Sequence, residues 1–282
     1  MTVDTLIESL GLINLLALLA VVVIGLPHGA FDGAIAAYLG YIELPHFLMR
    51  FLLLYILMAA LIVLLWLAFP IASLIVFLLI STIHFGLGDA RAEYGWFSWV
   101  QVVAHGGTVV AGISQLHKSE VDKIFGYLIG HDATMVWVAI DIVSIVLVAA
   151  FLIYAWQAFW DLRWRHGFIE LILLLFVFAI FPPLIGFAFY FCCVHSLRHL
   201  IVLWRSLRTV FLHNAFYFQA IFYAIASWVM GGLAFWLCTD QMSGETALLR
   251  VIFIGLAALT VPHMVLVDGF FRKHLERVHL QV

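Results

Sequence analysis

An all-α fold, a polytopic transmembrane helical bundle of about eight spans (seven to nine), follows from three features of this chain. Hydrophobic residues make up 66% of the 282 and charged residues 10%, far from the balance of soluble domains. The apolar runs mostly match the roughly 20 residues that a helical crossing requires. Little polar sequence remains between them, so residues 1–282 read as a single integral membrane domain whose backbone bonds close within each helix. The runs are too long and too continuously apolar for a β-barrel.

The runs lie near residues 10–38, 46–69, 71–88, 96–115, 134–160, 168–204, 214–238 and 246–270. The first follows MTVDTLIESL, which is acidic and lacks the positive start of a signal peptide, so this span is expected to be retained. The segment HKSEVDKIFGYLIGH, residues 117–131, mixes charge with apolar positions and reads as an interfacial helix or loop. The stretch 168–204 is too long for one crossing, and Pro182-Pro183 interrupts it where a helix breaks. Counting it as two passes gives nine crossings and sorts the cations. Arg50, Arg91, Arg163, Arg165, Arg205, Arg208, Arg272, Lys273 and Arg277 then fall on one side, against Lys118, Lys123 and Arg250 on the other. The positive-inside rule places the N-terminus outside and the C-terminus in the cytoplasm, in a multi-pass protein of the inner (plasma) membrane. On the same count His28, His84, His195 and His263 lie in crossings of one direction, where they can converge in the cytoplasmic half.

The net charge of −3 is not that of a phosphate-binding chain, and no basic cluster appears, so nucleic acid is set aside as a partner. Cys192, Cys193 and Cys238 all lie in apolar spans, where thiols act as small hydrophobes and not as a disulfide framework.

The chemistry is carried by histidines inside these runs, where a polar ring needs a reason. GLPHGAFDGA places His28 and Asp32 one turn apart, with Gly25, Gly29 and Gly33 admitting neighbouring backbone. STIHFGLGD sets His84 ahead of Asp89. CCVHSLRHL puts His195 and His199 four apart, so both imidazoles project from one helix face and can share an ion. TVPHMVLVDG follows a proline with His263 and, five residues on, Asp268. Neutral imidazole suits Fe, Zn and Cu, and a ligating ring usually donates its other N–H to a carboxylate, so Asp32, Asp89 and Asp268 are the candidate supports. Arg198 can snorkel, bond a carbonyl or orient these aspartates. A single intramembrane histidine is as readily a tie between helices. His105, in VVAHGGTVV, has neither a carboxylate nor a second histidine nearby in sequence, so helix packing is its first explanation and it stands as a reserve ligand. Phe85, Phe187, Phe189, Tyr190, Phe191 and Trp204 are candidates to line a hydrophobic tunnel.

In this order and at these separations, PHGAFD, HFGLGD, HSLRH and PHMVLVD resemble the Brp/Blh family of membrane β-carotene 15,15′-dioxygenases, over about residues 25–270. The resemblance implies that His28, His84, His195 and His199 are ligands of a non-haem Fe(2+), with His263 in a supporting or substrate-pocket role. It implies cleavage of β-carotene by O2 at the central double bond, giving two molecules of all-trans retinal, which a rhodopsin of the same cell can receive. Phe31 departs from the aliphatic residue expected in the first motif, which touches local packing more than the metal. A bilayer-embedded site suits a hydrocarbon substrate that dissolves in the membrane interior.

Other classes fit less well. Di-iron desaturases need paired boxes such as HxxHH, and none occurs; nor does the HExxH of a zinc protease. A retinal receptor needs a lysine within a span, whereas Lys118, Lys123 and Lys273 lie at ends or in loops. A b-type haem electron carrier leaves the additional histidines and aspartates unexplained, and a transporter would use the histidines as a proton relay.

Overall fold

In the computed structural model, residues 3–41, 44–91, 95–207, 214–272 and 274 are described, and the regular elements among them are all helical. In chain order these are α1 (Val3–Leu10), α2 (Leu12–Ala20), a π-helical stretch Val21–Gly25, a 3₁₀ stretch Leu26–Phe31, α3 (Asp32–Tyr38), α4 (Pro45–Ala68) and α5 (Pro70–Asp89). There follow α6 (Trp96–Gly107), a second π-helical stretch Thr108–Gly112, α7 (Ile113–Leu116), α8 (Lys118–Ile129), α9 (Thr134–Trp160) and α10 (Leu162–Ile180). The remainder comprises α11 (Pro183–Phe189), a third π-helical stretch Tyr190–His195, α12 (Ser196–Ser206), α13 (Asn214–Cys238), α14 (Gly244–Leu266) and a last π-helical turn Val267–Phe271. Arg208, Lys273 and Arg277 lie outside the described residues.

Seven runs among the described residues are long and apolar enough to cross a membrane: Leu12–Tyr38, His46–Ala68, Pro70–Asp89, Thr134–Trp160, Pro183–Ser206, Tyr217–Cys238 and Gly244–Phe271. Large apolar side chains such as Leu67, Ile145 and Phe218 point outward from them, which suits lipid as the surrounding solvent. The run expected at 96–115 is a continuous helix from Trp96 to Leu116 that passes through a π stretch after Gly106-Gly107, and it is not among these seven. The long 168–204 run does break at its prolines, between α10 and α11. The charged segment 117–131 forms α8, whose Val121, Phe125, Leu128 and Ile129 are buried; it ends at Gly130, whose φ of 72° is the left-handed cap that glycine adopts freely.

The chain divides into two compact units. The first comprises Met1–Leu15, Leu19–Phe69 and Ser196–Val282, and the second Leu16–Leu18 and Pro70–His195. In the first, α4 and α13 both pack on α14, and α13 also covers the 3₁₀ stretch. Its core joins Ala34 and Ile35 of α3 to Leu203 of α12, Leu207, Leu266 of α14, and Val267 and Phe271 of the last turn. Pro27 has no N–H to continue the π pattern onto the carbonyl of Val22, and the indole N–H of Trp228 donates there at 2.9 Å.

In the second unit α5 and α6 meet at backbone distance. A Cβ on Gly86 would collide with the carbonyl of Val102, and one on Gly106 with the carbonyl of Thr82, so glycine at both positions is what lets the helices touch. The hairpin α9–α10 turns at Asp161, whose carboxylate caps α10 by accepting from the backbone N–H of Arg163 at 3.0 Å. Val100, Ala104, Ala150, Tyr154 and Leu171 form the core between α6, α9 and α10. Pro182 leaves the carbonyl of Phe178 without its helical donor, and His117 Nε2 reaches that carbonyl at 2.6 Å. His117 is thus a helix-end cap.

Candidate functional site

The second unit gathers a histidine pair on α5 and the third π-helical stretch. His84 and His195 are both buried, and their ring centroids stand 4.9 Å apart with planes at 68°. Three aromatic rings border the His195 imidazole: Phe85 edge-on at 4.9 Å, Phe191 parallel at 5.9 Å, and Tyr190 at 6.1 Å. The second glycine of HFGLGD lies beside it, where a Cβ on Gly88 would stand 3.4 Å from Nδ1 of His195. Asp89, buried at the end of α5, accepts a hydrogen bond of 2.8 Å from the Tyr190 hydroxyl. Placing His195 at the end of a π-helical stretch offsets it from the register of a regular helix, a device common at functional sites.

The first unit holds a second pair. His199 on α12 and His263 on α14 have ring centroids 5.0 Å apart with planes at 72°. His263 Nδ1 lies 2.8 Å from Asp32 Oδ1, with about 5% or less of either side chain exposed. The other carboxylate oxygen of Asp32 accepts from the Tyr55 hydroxyl at 2.9 Å, and that hydroxyl also faces the Leu259 carbonyl at 3.4 Å. Of the glycines of PHGAFDGA, Gly29 lies beside this cluster, where a Cβ would stand at an ordinary 3.8 Å from His263 Nδ1, and Gly33 faces the Tyr223 ring, which a Cβ would approach to 3.2 Å. The His28 ring lies outside the described side chains, although its backbone is in the 3₁₀ stretch.

The remaining sequence candidates have other settings. His105 is buried on α6 and meets the Tyr154 ring edge-on at 5.8 Å, next to the α6–α9–α10 core. Asp268 forms an ion pair of 3.0 Å with Arg272, one turn on. Arg198 is half-buried on α12. Among the described residues no three histidine, cysteine or carboxylate side chains converge as a metal-holding group, and the histidines meet in twos. The carboxylate bonded to His263 Nδ1 is that of Asp32, 231 residues away in sequence. Tyr55 and Tyr190 are the hydroxyl donors to Asp32 and Asp89 that sequence reasoning passed over. The available signal was a phenol inside an apolar run, which seeks a polar partner.

The sequence model of a family described as Beta-carotene 15,15'-dioxygenase matches residues 19–271. A protein of an uncultured marine bacterium, 66A03, named Beta-carotene 15,15'-dioxygenase, is 38% identical over 276 residues, covering 97% of this chain and 99% of that protein. No solved structure matches.

Proposed function

Because this chain belongs to the β-carotene 15,15′-dioxygenase family, we propose that it cleaves the central 15,15′ double bond of β-carotene with O2, giving two molecules of all-trans retinal. The reaction balances without a further reductant, since both oxygen atoms end in the two aldehydes. The proposed cofactor is a non-haem Fe(II) held by His28, His84, His195 and His199, with the protein in the plasma membrane, N-terminus outside and C-terminus cytoplasmic. Retinal then passes to a retinal-binding partner such as a rhodopsin.

The buried His84–His195 pair carries the iron reading. Two imidazoles that share an ion at about 2.1 Å per nitrogen set their ring centroids roughly 4.5–5.5 Å apart. The spacing of 4.9 Å fits, as does the nitrogen donor set. When bound, Fe(II) supplies the dioxygen chemistry that side chains lack. The chain's own residues orient and exclude. Phe85 and Phe191 shield the His195 ring from water and fix its plane, while Tyr190 holds Asp89 by donating its hydroxyl proton. The apolar helices keep a hydrocarbon substrate in the phase where it dissolves.

The test is expression in bacteria that accumulate β-carotene, with pigment extraction and metal analysis of the purified chain. Loss of orange colour, appearance of retinal and about one iron per chain are expected for a mononuclear centre. His28→Ala, His84→Ala, His195→Ala and His199→Ala should each abolish cleavage in protein that still inserts. Unchanged carotene with a haem spectrum would replace this reading with an electron carrier, and unchanged carotene in folded, metal-free protein with a transporter.

A further inference from the structure

The pairing in the first unit goes beyond the four-histidine set. We infer that His263 is a further ligand of the iron, and that Asp32 and Tyr55 are the residues that position it; this rests on the iron reading above.

A carboxylate can only accept, so the imidazole nitrogen facing Asp32 carries the proton. In the neutral ring that choice leaves the lone pair on Nε2, the arrangement of a metal-bound histidine backed by a carboxylate. The contact is short at 2.8 Å, and both side chains are buried, so the tautomer is set in a region where water does not compete. Tyr55 completes the support. Its hydroxyl donates to the second oxygen of Asp32 at 2.9 Å, so each carboxylate oxygen has a donor and the plane of the group is fixed. Asp32 also brings a negative charge that offsets a cation in an apolar surrounding. The His199 ring, a ligand by sequence motif, meets the His263 ring at a centroid spacing of 5.0 Å, within the range for two imidazoles on one ion.

Pro262 precedes His263 and sits inside α14, where it removes a backbone donor and loosens the helix at the turn that presents this ring. A histidine serving merely to tie α3 to α14 would account for the Asp32 bond, but not for an edge-on neighbour that is itself a metal-ligand candidate.

The experiment uses the full chain in detergent, titrated with Co(II) as the spectroscopic probe and with Fe(II) for affinity. His263→Gln and Asp32→Asn should weaken metal binding by about 10–100-fold and alter the visible Co(II) bands, with Tyr55→Phe moving both readouts less and in the same direction. Thermal unfolding of each variant checks that it is folded. Should His263→Gln not fold, Asp32→Asn and Tyr55→Phe decide the matter by the same titration. Folded variants with unchanged affinity and unchanged Co(II) bands would overturn the inference. If His199→Ala loses the metal while His263→Gln retains it, the iron reading stands and His263 is a structural tie. If the wild-type chain binds neither metal, the iron reading falls and this inference with it.

Discussion

The two units solve the same problem, holding a buried imidazole still, by different means. In the first unit the His263 ring is fixed by a directional bond to Asp32, which Tyr55 braces in turn. In the second, Phe85 and Phe191 pack against the His195 ring and Gly88 lies beside it, while the nearby carboxylate, Asp89, accepts from a tyrosine. The contrast shows that hydrogen-bond direction and close packing both hold a buried imidazole, and that each contribution fails differently. A directional bond tolerates small changes of volume, whereas a packed seat does not.

Glycine substitutions expose that difference most strongly. Gly106→Ala sets a methyl group against the Thr82 carbonyl, and rigid helix backbones on both sides leave nothing flexible to yield. The expected loss is about 1–3 kcal/mol or more, with the α5–α6 contact opening and the His84–His195 site with it. Gly29→Ala in the first unit meets His263 Nδ1 at an ordinary 3.8 Å and should change stability by less than about 0.5 kcal/mol. Thermal unfolding in detergent and iron content measure both. Equal losses from the two variants would erase the distinction between the units.

These differences also mark how far the sequence could be read. Composition and run length carried the helical membrane class, because lipid leaves a chain few ways to satisfy its backbone. Pro182-Pro183 marked a helix end correctly, since proline cannot donate. The span count came at the low end, seven among the described residues, because polar residues such as Gln101 and His105 dilute the 96–115 run and α10 carries Arg163, Arg165 and Glu170. Local spacing set Asp268 beside His263, and the structure adds an ion pair of Asp268 with Arg272 and a bond from His263 to Asp32, at the far end of the chain. A bond between residues 32 and 263 leaves no trace in periodicity. The roles of Trp228 and His117 were hidden for the same reason, since each caps a carbonyl that a distant proline orphans.

A middle-sized effect compares the two tyrosines. Tyr190→Phe removes the donor to Asp89 from a fully buried position and should cost roughly 0.6–2 kcal/mol, the range for buried hydrogen bonds inside membranes. Because Phe85 and Phe191 stay packed against the His195 ring when the Tyr190 hydroxyl is removed, metal affinity should fall less than in Tyr55→Phe. Parallel metal titrations of the two variants would refine the comparison. A larger affinity loss from Tyr190→Phe would mean that Asp89 also governs a ligand.

The smallest difference lies at the helix caps and is read through pH. The second unit caps α10 with a titratable residue, Asp161, while the first caps α14 with Ser243, whose hydroxyl accepts from the Thr246 backbone N–H at 3.3 Å. Hydrogen bonds from the Arg163 side chain and then its backbone N–H hold the Asp161 carboxyl below the usual carboxylate range. A depressed folded-state value means that the stabilisation is complete above the unfolded carboxylate's pKa and is lost as pH falls through the folded one. The Asp161→Asn variant keeps a cap but loses the charge, so its unfolding temperature should sit slightly below wild type at neutral pH and converge with it in acid. Ser243→Ala should instead lower the unfolding temperature by the same small amount at every pH, because a hydroxyl cap does not titrate in this range. A pH-independent gap for Asp161→Asn would show that the charge of the second unit's cap is inert, leaving hydrogen-bond geometry as what both caps contribute.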